Sequence, residues 1–306
     1  MSTVADQTGK FVLITGATGG LGFQAAKSLA GAGAEVLLTG RDADKGARAL
    51  SAIRAVHPNA LVRFELLDLA ALGSVRRFVD RFTPDRRQLD LLINNAGIMA
   101  PRHRQQSADG VELQFATNYL GHFALTAGLL PAIVRSKAPR IVQVSSVMAR
   151  QGTPRLATAE ANRAYNAMEA YSDSKLAQLL FMVELQRRSE RGGWNLTSLA
   201  AHPGVARTDL IANGPGRESF SGLMMQLIEP VISQPVEMAV LPILHAATHA
   251  DVQPLDYFGP GRWFELKGPP GRAKLPELAR DEGLAARLWR LSEDLSDTRF
   301  PVLPLA

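Results

Sequence analysis

The stretch that decides the fold is Phe11-Val12-Leu13-Ile14-Thr15-Gly16-Ala17-Thr18-Gly19-Gly20-Leu21-Gly22. The apolar, β-branched run Phe11–Thr15 predicts a buried strand. Glycine-rich punctuation follows it and opens an amphipathic stretch from Leu21 to Ala32. Glycines at such a junction let the backbone turn tightly, approach a pyrophosphate closely and pack helix against strand. The free N–H groups and the dipole of the helix N-terminus favour an anion there.

The same alternation continues outward. Glu35–Thr39 predicts a second strand and Asp44–Val56 a helix; Leu61–Leu66 predicts a third strand, with a helix from about Ser74 to Phe82. Leu89–Asn94 reads as a fourth strand, Glu112 to Arg135 as a long apolar helix and Arg140–Ser145 as a fifth strand. Tyr171–Arg188 is helical and Leu196–Ala201 a sixth strand. Strands alternating with helices imply right-handed parallel βαβ units, and near-continuous apolar strands imply helices on both faces. The expected fold is α/β, a doubly wound parallel sheet of Rossmann type. It forms a single domain over 1–306, with a substrate lid at about 205–235 and a C-terminal tail at about 255–306.

Composition narrows the function classes. At 46% hydrophobic and 21% charged, the 306 residues can bury a sizeable core, which excludes disorder. The absence of cysteine removes disulfides, thiolate metal sites and thiol nucleophiles. Thirty-four basic against 29 acidic residues leave +5, and the densest basic cluster, Arg76 to Arg87, also holds Asp80 and Asp85. Such a thin, scattered surplus points to no nucleic-acid partner. Met1 to Lys10 is polar and lacks an apolar stretch of signal-peptide type, so no signal peptide is expected. The longest nearly apolar run, Leu120 to Val134, is interrupted by His122, Thr126 and Pro131. It falls short of the roughly 18 apolar residues a spanning helix needs, so no membrane anchor and a cytoplasmic location are expected.

The glycine turn fits TGxxxGxG through Gly16, Gly20 and Gly22, and equally TGxxGxxG through Gly16, Gly19 and Gly22. On its own it leaves two branches of nucleotide-binding proteins open. The second strand ends Leu38-Thr39-Gly40-Arg41-Asp42. An acidic residue there suits the 2′-hydroxyl of NAD, and an arginine the 2′-phosphate of NADP. Arg41 is the first side chain past the strand, so NADP(H) is the expected cofactor.

Tyr171-Ser172-Asp173-Ser174-Lys175 sets a phenol and an ammonium four residues apart on one helical face. A nearby cation favours the phenolate and is expected to pull the tyrosine pKa down, which suits proton transfer. Other polar motifs follow the strands: Asn94-Asn95-Ala96-Gly97, Val144-Ser145-Ser146 and His202-Pro203-Gly204, with Thr117-Asn118-Tyr119 in the long helix. With this set the chain resembles the short-chain dehydrogenase/reductase family over roughly residues 8 to 300. Asn94 to Gly97 and the overall length favour the shorter branch. Tyr171 to Phe181, Tyr257-Phe258-Gly259-Pro260 and Leu288-Trp289 are similar to the retinol dehydrogenase-like and WW-domain oxidoreductase-like group, which also includes protochlorophyllide reductases.

The resemblance implies roles by position. Tyr171 is the general acid/base, and Lys175 tunes it and holds the nicotinamide ribose. Ser146, the second serine of its pair, bonds the substrate oxygen. Asn118 organises a water relay ending at Lys175. Gly16, Thr18, Gly20, Leu21, Gly22 and Arg41 hold the phosphates and ribose of the cofactor. Asp68 and Leu69 meet the adenine, and Asn95, Ala96 and Gly97 line the adenosine side. Pro203, Gly204, Val205 and Thr208 face the nicotinamide, Thr208 through its carboxamide. The expected activity is NADP(H)-dependent interconversion of a carbonyl and an alcohol on an apolar small molecule. The resemblance also implies a homodimer or homotetramer, paired through the helices holding Asn118 and Tyr171.

Several features depart from this pattern or stay outside it. Gln151 to Asn166 is expected to form an extra loop, as the resemblance to the retinol dehydrogenase-like group implies. Zero cysteine argues against light-driven protochlorophyllide reduction. Phe220, Leu223, Met224, Met225, Leu227 and Ile228 suit either a flexible lid over an apolar ligand, or core packing or a subunit contact. His245 and His249 lack the glutamate and third ligand of a metal site, and none is expected. His202 reads as structural. An extended-type sugar-nucleotide epimerase or dehydratase is disfavoured by Arg41 and the length. A non-catalytic NADP-sensing regulator is disfavoured by the presence of Asn118, Ser146, Tyr171 and Lys175 together.

Overall fold

A computed structural model describes residues 4–82, 88–157, 165–205 and 233–301. Its sheet has eight strands in the order β3-β2-β1-β4-β5-β6-β7-β8. These are β1 (Phe11–Ile14), β2 (Glu35–Gly40), β3 (Val62–Leu66), β4 (Leu91–Asn94), β5 (Arg140–Val144), β6 (Thr197–Ala201), β7 (Tyr257–Arg262) and β8 (Lys267–Arg272). All pairs are parallel except β7 with β8. The order reverses between β1 and β4, the switch point where ligands of doubly wound sheets bind.

The alternation of side chains along each strand divides the core. Leu13 and Leu92 point to one face, under α3 (Leu72–Phe82), α5 (Gly121–Ile133), α6 (Ala167–Gly192) and α9 (Glu282–Ser296). Val12, Ile14 and Ile93 point to the other, with Leu29 of α1 (Gly20–Gly31), Ile53 of α2 (Ala43–Val56) and Ile243 of α8 (Leu241–Thr248). A short α7 (Val236–Ala239) precedes α8.

The six expected strands are present with ends shifted by a residue or two, and the tail contributes two more. β8 reads Lys-Gly-Pro-Pro-Gly-Arg, a composition with little strand propensity. Proline is tolerated there because β8 is the sheet edge. The long helix is interrupted: α4 (Leu113–Phe115) runs into a π turn over Ala116–Leu120 before α5 begins. Helix α6 starts at Ala167, earlier than the pattern predicts, because the Asn166 side chain accepts hydrogen bonds from the Met168 and Glu169 amides. Among the described residues no helix is long and apolar enough to cross a membrane. Thr208 and nearly all of the lid segment lie outside the described residues.

Candidate active site

The carboxyl ends of β1, β4, β5 and β6 converge on one edge of the sheet. Past β1, Gly16 (φ +63°) and Gly20 (φ +54°) adopt left-handed conformations that favour glycine. A Cβ at Gly22 would collide with the Asn95 amide and lie 2.5 Å from the Gly16 carbonyl oxygen. Helix α1 starts at exposed glycines, with no capping side chain and no acid in its first turn. That leaves N–H groups open to an anion, so the chain fits a dinucleotide at this point. Thr18 packs on Gly40, placing it beside the end of β2, and Leu21 is half-buried against the α1 core. Arg41 is exposed there. Its neighbour Asp42 is committed to capping α2, accepting from the Lys45 amide at 2.9 Å.

Past β3, the Asp68 carboxylate accepts from the Ala70 amide at 3.0 Å, while the Leu69 side chain is buried in the core. Past β4, Asn95 donates from Nδ2 to the Thr15 carbonyl at 2.8 Å, tying its loop to the glycine turn. Ala96 lies against Gly16, and Gly97 passes next to Asn118 and Lys175.

Helix α6 carries Tyr171, Ser174 and Lys175, all buried. The Ser146 hydroxyl is hydrogen-bonded to the Tyr171 phenol, and Ser146 caps the 3-10 turn Val147–Gln151 through the Met148 amide at 3.2 Å. Ser145 turns the other way, donating to the Lys175 main-chain oxygen at 2.8 Å. Lys175 Nζ donates to the Val144 carbonyl (2.9 Å) and to Gln178 Oε1 (3.0 Å) and lies 5.7 Å from the centre of the Tyr171 ring. Burial disfavours charge on both groups, pushing the phenol up to about 12 and the ammonium down to about 7. The expectation that Lys175 draws the phenol pKa down is therefore reversed in the free chain. Desolvation wins, and only the Ser146 hydrogen bond acts against it.

Asn118 sits in the π turn. Its Oδ1 accepts from the Ile98 amide (2.8 Å), and its Nδ2 donates to the Ile98 carbonyl (3.0 Å) and Ser174 Oγ (2.9 Å). The Thr15 hydroxyl accepts from the Asn95 and Ala96 amides at 2.9 and 3.0 Å. This leaves its proton for His122 Nε2, 2.8 Å away. His122 then carries its own proton on Nδ1 and donates it to the Asn118 carbonyl at 2.8 Å. Burial keeps His122 neutral, its pKa lowered to about 4. Sequence reasoning did not single out Thr15, Gln178 or His122 for the site.

Past β6, Pro203, Gly204 and Val205 are half-buried. Val205 donates to the Leu266 carbonyl at 3.0 Å, and Gly204 (φ +66°) lies too close to that carbonyl to carry a Cβ. The buried Tyr257 hydroxyl is hydrogen-bonded to the Ser145 side chain and lies 3.4 Å from the Ser146 carbonyl; burial raises its pKa. His202 packs its ring against Tyr257 at 5.1 Å, and its Nδ1 accepts from the Gly204 amide. The rings of His245 and His249 stack at 4.2 Å. Among the described residues no cluster of histidines and carboxylates could hold a metal ion.

Residues 10–217 match the profile of the short chain dehydrogenases. Retinol dehydrogenase 12 of Bos taurus is 37% identical over 294 residues, 95% of this chain and 88% of that protein. The crystal structure of an uncharacterized protein from Mycobacterium Paratuberculosis superposes with a TM-score of 0.80 at 37% identity, covering 97% of each chain. A short chain dehydrogenase from Shigella flexneri 2a, solved as a complex with NADP, gives 0.57 at 25% identity, covering 75% of this chain and 92% of that one. A buried tyrosine, lysine and asparagine with a half-buried serine beside a glycine cradle, on a chain so matched, make this protein an oxidoreductase enzyme of the short-chain dehydrogenase/reductase family, within its retinol dehydrogenase-like group.

Proposed function

We propose that the chain interconverts a ketone or aldehyde and the corresponding alcohol on a small apolar molecule, with NADP(H) as its cofactor. The observation that carries this reading is the convergence of Tyr171, Ser146, Lys175 and Asn118 beside the Gly16–Gly22 turn. When bound, the nicotinamide supplies or accepts the hydride. Tyr171 holds the proton at its phenol oxygen and exchanges it with the substrate oxygen, while Ser146 steadies the charge that develops there. A phenol raised to about 12 keeps its proton at neutral pH and so stands ready for reduction. Arg41 supports NADP over NAD because it is the exposed side chain just past β2, where a 2′-phosphate would be met, whereas Asp42, the competing acid, is held by the Lys45 amide. The identity to a retinol dehydrogenase supports an apolar alcohol or carbonyl as substrate.

The test is an NADPH-consumption screen over aldehydes and ketones of graded size, with NADH in parallel. Turnover with NADPH on apolar members is expected. Replacing Tyr171 with Phe is expected to lower turnover by at least about 100-fold while NADPH binding persists. Wild-type turnover in that variant would remove Tyr171 from the chemistry, and equal or tighter NADH binding would overturn the cofactor assignment.

A further inference from the structure

Glu265 lies in the turn between β7 and β8, far from the residues that define the site in sequence. Trp263, Phe264 and Glu265 have φ of +54°, +55° and +65°. Left-handed backbone costs a non-glycine residue about 1 kcal/mol or more, so three in succession call for compensation. The aromatic pair does not provide it through burial, because Trp263 is 58% exposed and Phe264 93%. Glu265 does gain contacts. Its Oε2 meets Arg150 Nη2 at 2.5 Å and His202 Nε2 at 3.1 Å, and its Oε1 accepts from the Lys274 amide at 3.1 Å. These partners hold its carboxyl down at about 2 despite partial burial.

The two side chains it joins belong to different walls of the site. Arg150 is part of the 3-10 turn that Ser146 caps, and Ser146 in turn bonds Tyr171. His202 opens the loop Pro203–Val205. Its Nδ1 already accepts from Gly204, so Nε2 bears the proton that reaches Glu265. Leu266, the next residue after Glu265, receives the Val205 amide. One strained turn thus grips the serine wall with one arm and the Pro203–Val205 wall with the other.

We propose that Glu265 is a positioning residue, setting the separation between the Ser146 turn and the Pro203–Val205 loop. The proposal rests on the carbonyl reduction proposed above, since it assigns those walls to the substrate oxygen and the nicotinamide. Misplacement by a fraction of an ångström costs rate rather than binding. Glu265→Ala is therefore expected to lower kcat about ten-fold, with the KM for the carbonyl substrate and the Kd for NADPH changed less than about two-fold. Glu265→Gln keeps an acceptor for His202 but loses the ion pair, so it should fall part-way, as should Arg150→Met. The double variant Arg150→Met/Glu265→Gln should be no slower than either single one, because both remove one contact.

Hydrogen exchange of the chain without substrate supplies the second readout. In Glu265→Ala, or in Glu265→Gln should the alanine variant fail to fold, the amides of Ala149, Gly152, Gly204 and Val205 are expected to exchange faster. Those of β1 and α6 should keep their protection. Wild-type kcat in both Glu265 variants overturns the proposal, even with faster exchange, because the clasp would then hold loops without placing chemistry. Loss of NADPH affinity in proportion to kcat also overturns it. If the wild-type chain reduces no carbonyl in the screen, the proposed function has failed. Hydrogen exchange then decides alone: faster exchange confined to those four amides supports the clasp, and unchanged exchange overturns it.

Discussion

At the scale of single residues, Tyr171 and Lys175 depart from their ordinary ionisation in opposite directions for one reason, their removal from water. The stability of the free chain should carry that signature. An unfolded lysine stays protonated up to about 10.5, while the folded one releases its proton near 7. Between those values the unfolded chain binds more protons, so stability rises with pH, by something on the order of a few kcal/mol. Urea midpoints measured across that window should climb in the wild type, and Lys175→Met should flatten the climb. An unchanged slope in the variant would assign the effect elsewhere. His122 has the same sign at acid pH: it is neutral in the fold until about 4 and its unfolded value is 6.5. Stability should fall by up to about 3 kcal/mol as pH drops from 6.5 to 4. His122→Gln keeps a donor and an acceptor without the titration, and should lessen that fall. Tyr171 with Lys175 and the Asn95 loop stood out in the sequence because tyrosine and lysine four apart, or asparagine after an apolar run, are local patterns. The hydroxyl of Thr15 and the ring of His122 lie 107 positions apart, and only the closed sheet brings them together.

At the scale of elements, the glycine turn, the strands and the start of α1 were legible because spacing and apolar runs act over a few residues. The π turn was not. The apolar stretch around Ala116–Leu120 has ordinary helical composition, and its wider turn belongs to the packing of Asn118, whose side chain is fully engaged by Ile98 and Ser174. The β7–β8 hairpin was hidden for the opposite reason, since its prolines and glycines read as loop until an edge position accommodates them. The glycine turn also allows a direct test of cofactor geometry. A methyl at Gly22 would strike the Asn95 amide, whose Nδ2 reaches both the Thr15 and Gly16 carbonyls. Gly22→Ala is expected to weaken NADPH at least about ten-fold and to cost about 1–3 kcal/mol of stability through overpacking. Fluorescence titration and urea unfolding measure the two separately, and undiminished affinity would show that this junction does not approach the cofactor.

At the scale of the whole molecule, helices α5 and α6 pack against a segment that begins well after the residues 10–217 matched by the family profile. Helix α9 closes the core on the α5–α6 face. Trp289 is 1% exposed, with ring centres 5.0 Å from Phe123, 5.7 Å from Phe181 and 4.3 Å from Phe300, and the Arg188 guanidinium lies over it at 4.1 Å. Tyr119, the neighbour of Asn118 in the π turn, meets Ser292 of α9 at 2.6 Å. Leu288-Trp289 was visible in the sequence as a family resemblance, but Phe123, Phe181 and Arg188 lie more than a hundred residues upstream of Trp289 and no local pattern names them. If α9 supports the site through this core alone, removing the indole should cost stability without altering the chemistry. Trp289→Ala is expected to lose about 3–5 kcal/mol through the cavity left among the three phenylalanines. Ser292→Ala, which strands a buried phenol, should lose about 1–3 kcal/mol. Both should lower the temperature of inactivation in step with that of unfolding, while kcat at temperatures where the fold is intact stays within about two-fold of wild type. A drop in kcat without a drop in the unfolding temperature would mean instead that α9 reaches the Asn118 turn through Tyr119, and that the tail shapes the proposed site as well as closing the core.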